Sequence, residues 1–151
     1  MIKKLNSLLS FTLIFLAFFL YITGQNRAAH MNSADAMSHG KLDIPKAAQN
    51  IPSVSISVSQ DPSGSWLLKT ETKHFAFQPE KAGTDEASFQ EGHAHIYVDG
   101  KKINRLYGNY YNLGELQSGR HEITVSLNSN NHALFTYEGK EISDSEIVFV
   151  E

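Results

Sequence analysis

Alternation of apolar and polar side chains with a period of two is the feature that most constrains this fold. Between residues 53 and 59, three branched apolar side chains alternate with four serines in the order SVSISVS. Only an extended strand sorts such a series onto two opposite faces, one buried and one in water. Because a two-residue period recurs over residues 66–73 and 121–128, the chain is predicted to be a β protein.

Turn signals separate the predicted strands. The segment 61–64 (DPSG) is one of them, and Asp99-Gly100, between two apolar runs, is a strong hairpin signal. Residues 79–92 are expected to form a polar loop, and residues 108–119 an irregular segment. About seven short strands and no convincing helix after the N-terminus predict an all-β fold, an immunoglobulin-like antiparallel β-sandwich. A small β-barrel is the alternative.

The N-terminus predicts export. Lys3 and Lys4 precede an apolar run over residues 8–22, which is the arrangement of a signal peptide. The segment 5–24 is also nearly long enough to cross a bilayer as a hydrophobic helix. Residues 1–24 are therefore read as a signal peptide or an N-terminal membrane anchor. Either reading predicts a periplasmic or other extracytoplasmic domain that meets the membrane only through this segment.

Composition narrows the classes of function. The chain has no cysteine, which excludes disulfides and thiolate metal ligands. Its formal net charge of −3 does not suggest a nucleic-acid partner, which requires a basic patch or stripe. About 120 residues follow the N-terminal segment, enough for one domain with one core.

The stretch between the N-terminus and the first clear strand is predicted to be a flexible tether. Residues 25–50 are rich in small and polar side chains, and they precede a domain over residues 51–151. Their histidines and methionines are a weak copper signal, because thioether suits Cu(I) and imidazole suits copper generally. The alternative is a solvated linker that contains these side chains incidentally. The four residues are His30, Met31, Met37 and His39.

Three histidines form the candidate site. His93 and His95 lie two apart in a predicted strand and therefore share a face. In an immunoglobulin-like sandwich this strand would pair antiparallel with the strand over residues 121–127. The start of one strand then lies beside the end of the other, so His132, in the following loop, should join the pair. Strand rise sends His121 about 20 Å away, to the opposite end.

Three imidazoles without a carboxylate suit a transition metal, copper or less well zinc, rather than Ca²⁺ or Mg²⁺. The alternative is that the histidines are structural or solvated, since spacing alone does not fix a ligand set. Asn128 and Asn131 have two possible roles. They could orient an imidazole through its second nitrogen, or they could serve a tight turn.

Catalysis has little support in the sequence. There is no nucleophile elbow, no cysteine nucleophile and no Gly-rich phosphate loop. An open three-histidine zinc site could activate water, but no general base beside it can be identified. A metal-dependent hydrolase is therefore disfavoured, and neither a catalytic residue nor an organic cofactor is assigned.

A second hypothesis is a membrane-anchored module that binds a cell-envelope protein or polymer and no metal. It rests on the aromatic stretch over residues 106–111 (LYGNYY), because tyrosine is favoured at interfaces. The alternative is that these tyrosines cap the core. An outward-facing patch of tyrosines would favour the module, and inward packing would remove its basis.

The runs GHAHIYVDGKKINRLYG and SGRHEITVSLNSNNHALFTYEGKEI resemble a family of small exported bacterial β-sandwich domains of unknown function. The shared pattern is a His-x-His strand ending in an Asp-Gly turn, a Gly-x-His strand, and a loop with Asn and His. HGKLDIP and SWLLKTETKHFAFQPE also fit, so the resemblance covers residues 39–150. The resemblance implies export and a β-sandwich. The histidines that match the shared motifs are His93, His95, His121 and His132. Some similar exported sandwiches handle copper, which is an analogy of architecture.

The leading hypothesis combines these observations. The chain is expected to be an exported periplasmic β-sandwich that binds a transition metal, with copper favoured. It would act as a metal carrier or buffer and perform no covalent catalysis.

Overall fold

The computed structural model describes residues 11–21, 40–85 and 88–151. Residues 11–21 form an exposed apolar helix, α1, as the sequence predicts for the N-terminus. Among these described residues, no helix is both long enough and apolar enough to cross a bilayer. The chain divides into two compact units, residues 1–38 and residues 39–151.

The second unit is built from strands, and the all-β class is confirmed. In the part of this unit that the structure describes, one 3₁₀ turn, at Pro79–Lys81, interrupts the strands. In chain order the strands are β1 (Lys41–Ile44), β2 (Ser53–Gln60), β3 (Trp66–Lys73), β4 (Ala76–Phe77), β5 (Glu91–Val98), β6 (Lys101–Leu106), β7 (Tyr110–Gly114), β8 (Gly119–Asn128), β9 (Leu134–Tyr137), β10 (Lys140–Glu141) and β11 (Ser143–Val150).

The strands form two sheets. In the larger sheet the order is β1-β9-β8-β5-β4, and β10, β11 and β6 pair with β9, β8 and β5. The smaller sheet has the order β2-β3-β7 and is antiparallel throughout. Two pairs in the larger sheet, β1 with β9 and β4 with β5, are parallel.

One hydrophobic core joins both sheets. On the central strands β5 and β8, Ile96 and Val125 face each other in register and are fully buried. Because side chains alternate along a strand, the next residues on each strand point to the opposite face of the sheet. That opposite face carries the histidines. The buried core residues are Ile44, Trp66, Leu68, Ala94, Ile96, Leu106, Ile123, Val125, Leu127, Phe135 and Val148.

The described residues form eleven strands where about seven are expected, and two of these strands lie in segments predicted to lack them. β1 lies within the predicted tether, residues 25–50, so the tether ends earlier than the sequence indicated. β1 pairs with β9, and its Ile44 is 3% exposed. Four residues with two apolar positions give too short an alternation to be recognised. β7 occupies part of the segment 108–119 that was expected to be irregular, where the glycines and asparagines obscure the period.

The predicted hairpin at Asp99-Gly100 is confirmed. Both residues have positive φ, 52° and 76°, as a two-residue type I′ turn requires. The turn sets Val98 opposite Lys101 and Tyr97 opposite Lys102.

Carboxylates cover the outer edge of β2. The Ile56 N–H donates to Asp144 Oδ2 at 2.9 Å, and the Val58 N–H donates to Glu146 Oε2 at 2.8 Å. Both acceptors belong to β11, which is in the other sheet. Side chains thus satisfy backbone donors that would otherwise form an open strand edge.

Candidate metal centre

Strand pairing places the first two histidines where the sequence predicts. β5 and β8 are antiparallel, with His93 opposite Asn128 and His95 opposite Ser126. The start of β5 therefore lies beside the end of β8. Both imidazoles are on the sheet face opposite the core, yet both residues are 0% exposed.

A close backbone approach at Gly92 draws the two strand ends together. Gly92 has a φ of 155°, and a Cβ atom at this position would lie 2.0 Å from the carbonyl oxygen of Asn128. No side chain fits in that distance, so glycine is required here. The approach brings the loop after β8 directly onto the start of β5.

That loop turns back sharply to present His132. The Ser129 N–H donates to the Ala133 carbonyl at 2.9 Å, and the His132 N–H donates to the Ser129 carbonyl at 2.9 Å. His132 itself is left-handed, with a φ of 71°. This conformation is uncommon for a residue other than glycine and is often found at functional sites.

The three imidazoles converge, as the sequence predicts. His93 Nε2 lies 2.9 Å from His95 Nε2 and 3.0 Å from His132 Nδ1. All three nitrogens lie within 4.8 Å of one another. His132 is 8% exposed, so the whole cluster is removed from water.

Hydrogen bonds among the three imidazoles cannot account for all of the close contacts between their nitrogens. An imidazole nitrogen carries either one proton or one lone pair, and so serves one linear hydrogen bond. His93 Nε2 faces two nitrogens, and His95 Nε2 faces both His93 and Lys102 Nζ. A cation that accepts a lone pair from each imidazole resolves the conflict. Two nitrogens at about 2.0 Å from one ion in tetrahedral geometry lie about 3.3 Å apart, close to the 2.9 and 3.0 Å that separate His93 Nε2 from His95 Nε2 and His132 Nδ1.

Lys102 and Tyr107 complete the surroundings of the cluster. Lys102 Nζ lies 3.0 Å from His95 Nε2, and burial, with a further contribution from the charge of Arg105, lowers the pKa of this lysine. The Tyr107 ring lies 5.4 Å from that of His93 between centroids. Sequence reasoning missed Lys102, although counting across the Asp-Gly turn would have placed it on the histidine face.

The two asparagines serve the loop. Asn128 Nδ2 donates to the His132 carbonyl at 3.4 Å, and Asn128 Oδ1 accepts from Ser126 Oγ at 3.1 Å. Asn131 Oδ1 accepts from Ser129 Oγ and from the Ala133 N–H. These bonds favour the turn role and hold the backbone that carries His132.

His121 lies outside the cluster, as expected. Its Nδ1 is 2.7 Å from Asp99 Oδ2 and its Nε2 is 2.8 Å from the Gln117 carbonyl. Both partners are acceptors. Hydrogen bonding to Asp99 first, and then to Gln117, therefore raises the pKa of His121.

The remaining candidates are separate from the cluster. His30, Met31, Met37 and His39 lie outside the described residues. The tyrosines expected to mark an interface do not share one outward patch. Tyr110 is 60% exposed, Tyr111 packs against the core, and Tyr107 contacts His93. The basis for an interaction module is therefore absent from the described stretch over residues 106–111.

Comparison of the chain with protein families, with curated proteins and with solved structures found no match.

Proposed function

We propose that this protein binds a transition-metal ion through His93 Nε2, His95 Nε2 and His132 Nδ1. The observation that carries the proposal is the convergence of three buried imidazole nitrogens, two of them at 2.9 and 3.0 Å from the third. Burying three polar rings in one place is costly unless their nitrogens are satisfied. A bound ion would offset that cost.

Copper is the favoured metal. Sites built from nitrogen ligands bind Cu²⁺ more tightly than Zn²⁺. Structural zinc sites have four protein ligands, and catalytic zinc sites keep an open position for water. Within the described part of the chain, the cluster offers three histidines and no fourth histidine or carboxylate. This ligand set does not complete a structural zinc site, and the cluster holds no carboxylate that could act as a general base at an open one.

The wider setting supports an exported carrier or buffer. A basic start followed by an apolar run, with helix α1 within it, supports a signal peptide or anchor over residues 1–24 and a periplasmic domain. Two sheets that share one core, with β5 and β8 paired antiparallel, support an immunoglobulin-like sandwich. Residues buried this deeply suit the holding of an ion more than the turnover of a substrate.

Metal titration of the full chain in detergent tests the proposal. Cu(I), Cu(II) and Zn(II) affinities are measured by competition with chromophoric chelators. The double variant His93→Ala/His95→Ala should bind copper at least about a hundredfold more weakly, because two of three ligands are lost. The matched control is His74→Asn/His121→Ala. It removes two histidines outside the cluster, uses asparagine because position 74 is also left-handed, and should bind as the wild type does.

A single variant distinguishes the loss of a metal ligand from the loss of the fold. His132→Asn removes the imidazole, while asparagine tolerates the left-handed backbone at this position. Circular dichroism should show an unchanged fold and titration a loss of affinity. Equal copper affinity in the wild type, the double variant and His132→Asn would refute the proposed site.

A further inference from the structure

We propose that Lys102 shifts the selectivity of this site toward a singly charged ion, Cu(I), and away from Cu(II) and Zn(II). This inference rests on the metal-binding function proposed above and assigns its specificity to one residue that is not a ligand. The ion would be bound beside the positive charge of Lys102, with little negative charge nearby to compensate.

The geometry places that charge close to the ion. Lys102 Nζ lies 3.0 Å from His95 Nε2, and a metal ion bound to this nitrogen would lie about 2.0 Å from it. The ammonium position is therefore at most about 5 Å from the ion. The Asp99-Gly100 hairpin fixes this placement, because it sets Lys102 opposite Tyr97, on the strand face that carries both histidines.

The charges around the cluster are predominantly positive. The three imidazoles are neutral when they bind a metal, and Arg105, opposite His95 on β6, adds a second positive charge close enough to act on Lys102. Glu91 shares the strand face of the histidines, but its Oε2 is paired with Lys81 Nζ at 2.8 Å. Among described residues, no carboxylate belongs to the cluster itself.

The size of the effect follows from Coulomb's law. At about 5 Å and an effective dielectric constant of about 20, one additional unit of charge on the ion lowers its affinity by roughly two orders of magnitude. Lys102 is only half-buried, so solvent screening reduces the discrimination to roughly tenfold. The charge of Lys102 therefore lowers the affinity for a doubly charged ion roughly tenfold more than the affinity for Cu(I).

Lys102 also weakens the binding of every metal ion, whatever the charge of that ion. Its ammonium hydrogen-bonds the nitrogen of His95 that would ligate the metal. Any metal must displace this hydrogen bond, which weakens binding of all ions by the same factor. Removing the charge should therefore raise every affinity, and it should raise the affinities for Cu(II) and Zn(II) more than the affinity for Cu(I).

The experiment compares four variants of the full chain with the wild type. Lys102→Gln and Lys102→Met remove the charge, and the second keeps an apolar stem of similar length. Lys102→Arg keeps the charge. Lys101→Gln is the matched control, because it removes the same charge from the adjacent exposed position of the same hairpin. Affinities for Cu(I), Cu(II) and Zn(II) are measured by chelator competition, and the potential of bound copper is measured by voltammetry.

In Lys102→Gln and Lys102→Met, the affinities for Cu(II) and Zn(II) should rise about tenfold more than the affinity for Cu(I). For a one-electron couple, that tenfold change lowers the reduction potential of bound copper by about 59 mV. Lys102→Arg should keep the wild-type ratio and potential, and Lys101→Gln should match the wild type.

Other outcomes overturn the inference. If both neutral variants raise all affinities equally, Lys102 obstructs the site without selecting an ion. If they lose Cu(I) affinity, Lys102 supports binding and does not oppose divalent ions. In either case the wild type still binds metal and His132→Asn does not, so the proposed function survives. If the wild type binds none of the three ions, both proposals fail.

Discussion

Gly92 and the left-handed His132 together hold the imidazoles of His95 and His132 within hydrogen-bonding distance of His93. The first removes a side chain where β5 meets the Asn128 carbonyl, and the second turns the loop back onto β5. Gly92 offers no ligand atom, and His132 contributes through its backbone conformation as well as through its imidazole. The positions of the nitrogens are set by backbone that is several atoms away from them.

Replacing Gly92 by alanine should therefore damage both fold and site. The new Cβ would meet the Asn128 oxygen at 2.0 Å, so β5 and the 128–132 loop must separate. We expect a loss of about 1–3 kcal/mol in the free energy of unfolding, the usual cost of overpacking, and weaker copper binding. Urea denaturation and chelator competition measure the two effects.

Gly108→Ala is the matched control for this change. An added Cβ at Gly108 meets nothing within 4 Å, and the residue does not have positive φ. It should leave stability within about 0.5 kcal/mol of the wild type, as surface substitutions usually do. Equal stability of Gly92→Ala and Gly108→Ala would show that the close approach does not constrain the site.

The histidines were predictable from sequence, and their neighbours were less so. The two-residue spacing of His93 and His95, with antiparallel pairing to the strand before His132, was enough to predict convergence. Gly92 reads as an ordinary loop glycine, because its constraint is a contact with a residue 36 positions away. Lys102 lies on a surface hairpin, where lysine is common, and only its register shows that it reaches the cluster.

At the scale of elements, the edge of β2 depends on β11. Asp144 and Glu146 are half-buried and alternate on β11 with exposed residues. They accept hydrogen bonds from the N–H groups of Ile56 and Val58. Since these carboxylates come from the other sheet, they join the two sheets by polar contacts at the edge, beside the apolar contacts of the core. They also occupy donors that another chain's strand could pair with.

The double variant Asp144→Ala/Glu146→Ala tests this junction. Each lost bond to a charged acceptor should lower the free energy of unfolding by about 1–2 kcal/mol, because both bonds are only partly buried. The amides of Ile56 and Val58 should exchange hydrogen faster than in the wild type. Urea denaturation and amide hydrogen exchange provide the two measurements.

Glu122→Ala removes an exposed carboxylate from the neighbouring strand β8 and serves as the control. It should change neither stability nor exchange at β2. If the double variant exchanges at the wild-type rate at Ile56 and Val58, the carboxylates do not protect this edge.

Strands could be predicted from the sequence where the alternation of apolar and polar residues extends over eight residues or more. The eight-residue strands β2 and β3 and the ten-residue β8 carry a clear alternation and were found. Short β1 was assigned to a tether and β7 to an irregular segment, because each is stabilised by pairing with a distant strand. β1 pairs with β9, about ninety residues along the chain, and such partners leave no local signal.

At the scale of the whole molecule, metal binding and folding should be linked. The ligands come from β5 and from the loop between β8 and β9, so they converge only when the larger sheet is formed. An ion that binds the folded state at a free concentration of a hundred times its Kd stabilises it by about 2.7 kcal/mol. For a domain of this size that corresponds to a rise of about 10 °C in Tm.

Thermal unfolding of the full chain with and without copper measures this linkage. The rise in Tm should disappear in His132→Asn and persist in the His74→Asn/His121→Ala control. A rise of the same size in His132→Asn would place the stabilising ion elsewhere in the molecule.

The parallel pairing of β1 with β9 also determines where a mechanical load would enter the domain. Leu134, two residues after His132, donates its N–H to the carbonyl of Gly40, and the pairing runs on from Lys41 opposite Leu134 to Ile44 opposite Tyr137. Tension applied through the chain before residue 40 would act first on the hydrogen bond between Leu134 and Gly40, two residues from His132. The loop that presents the third imidazole is thus the part of the sheet nearest the point of pull.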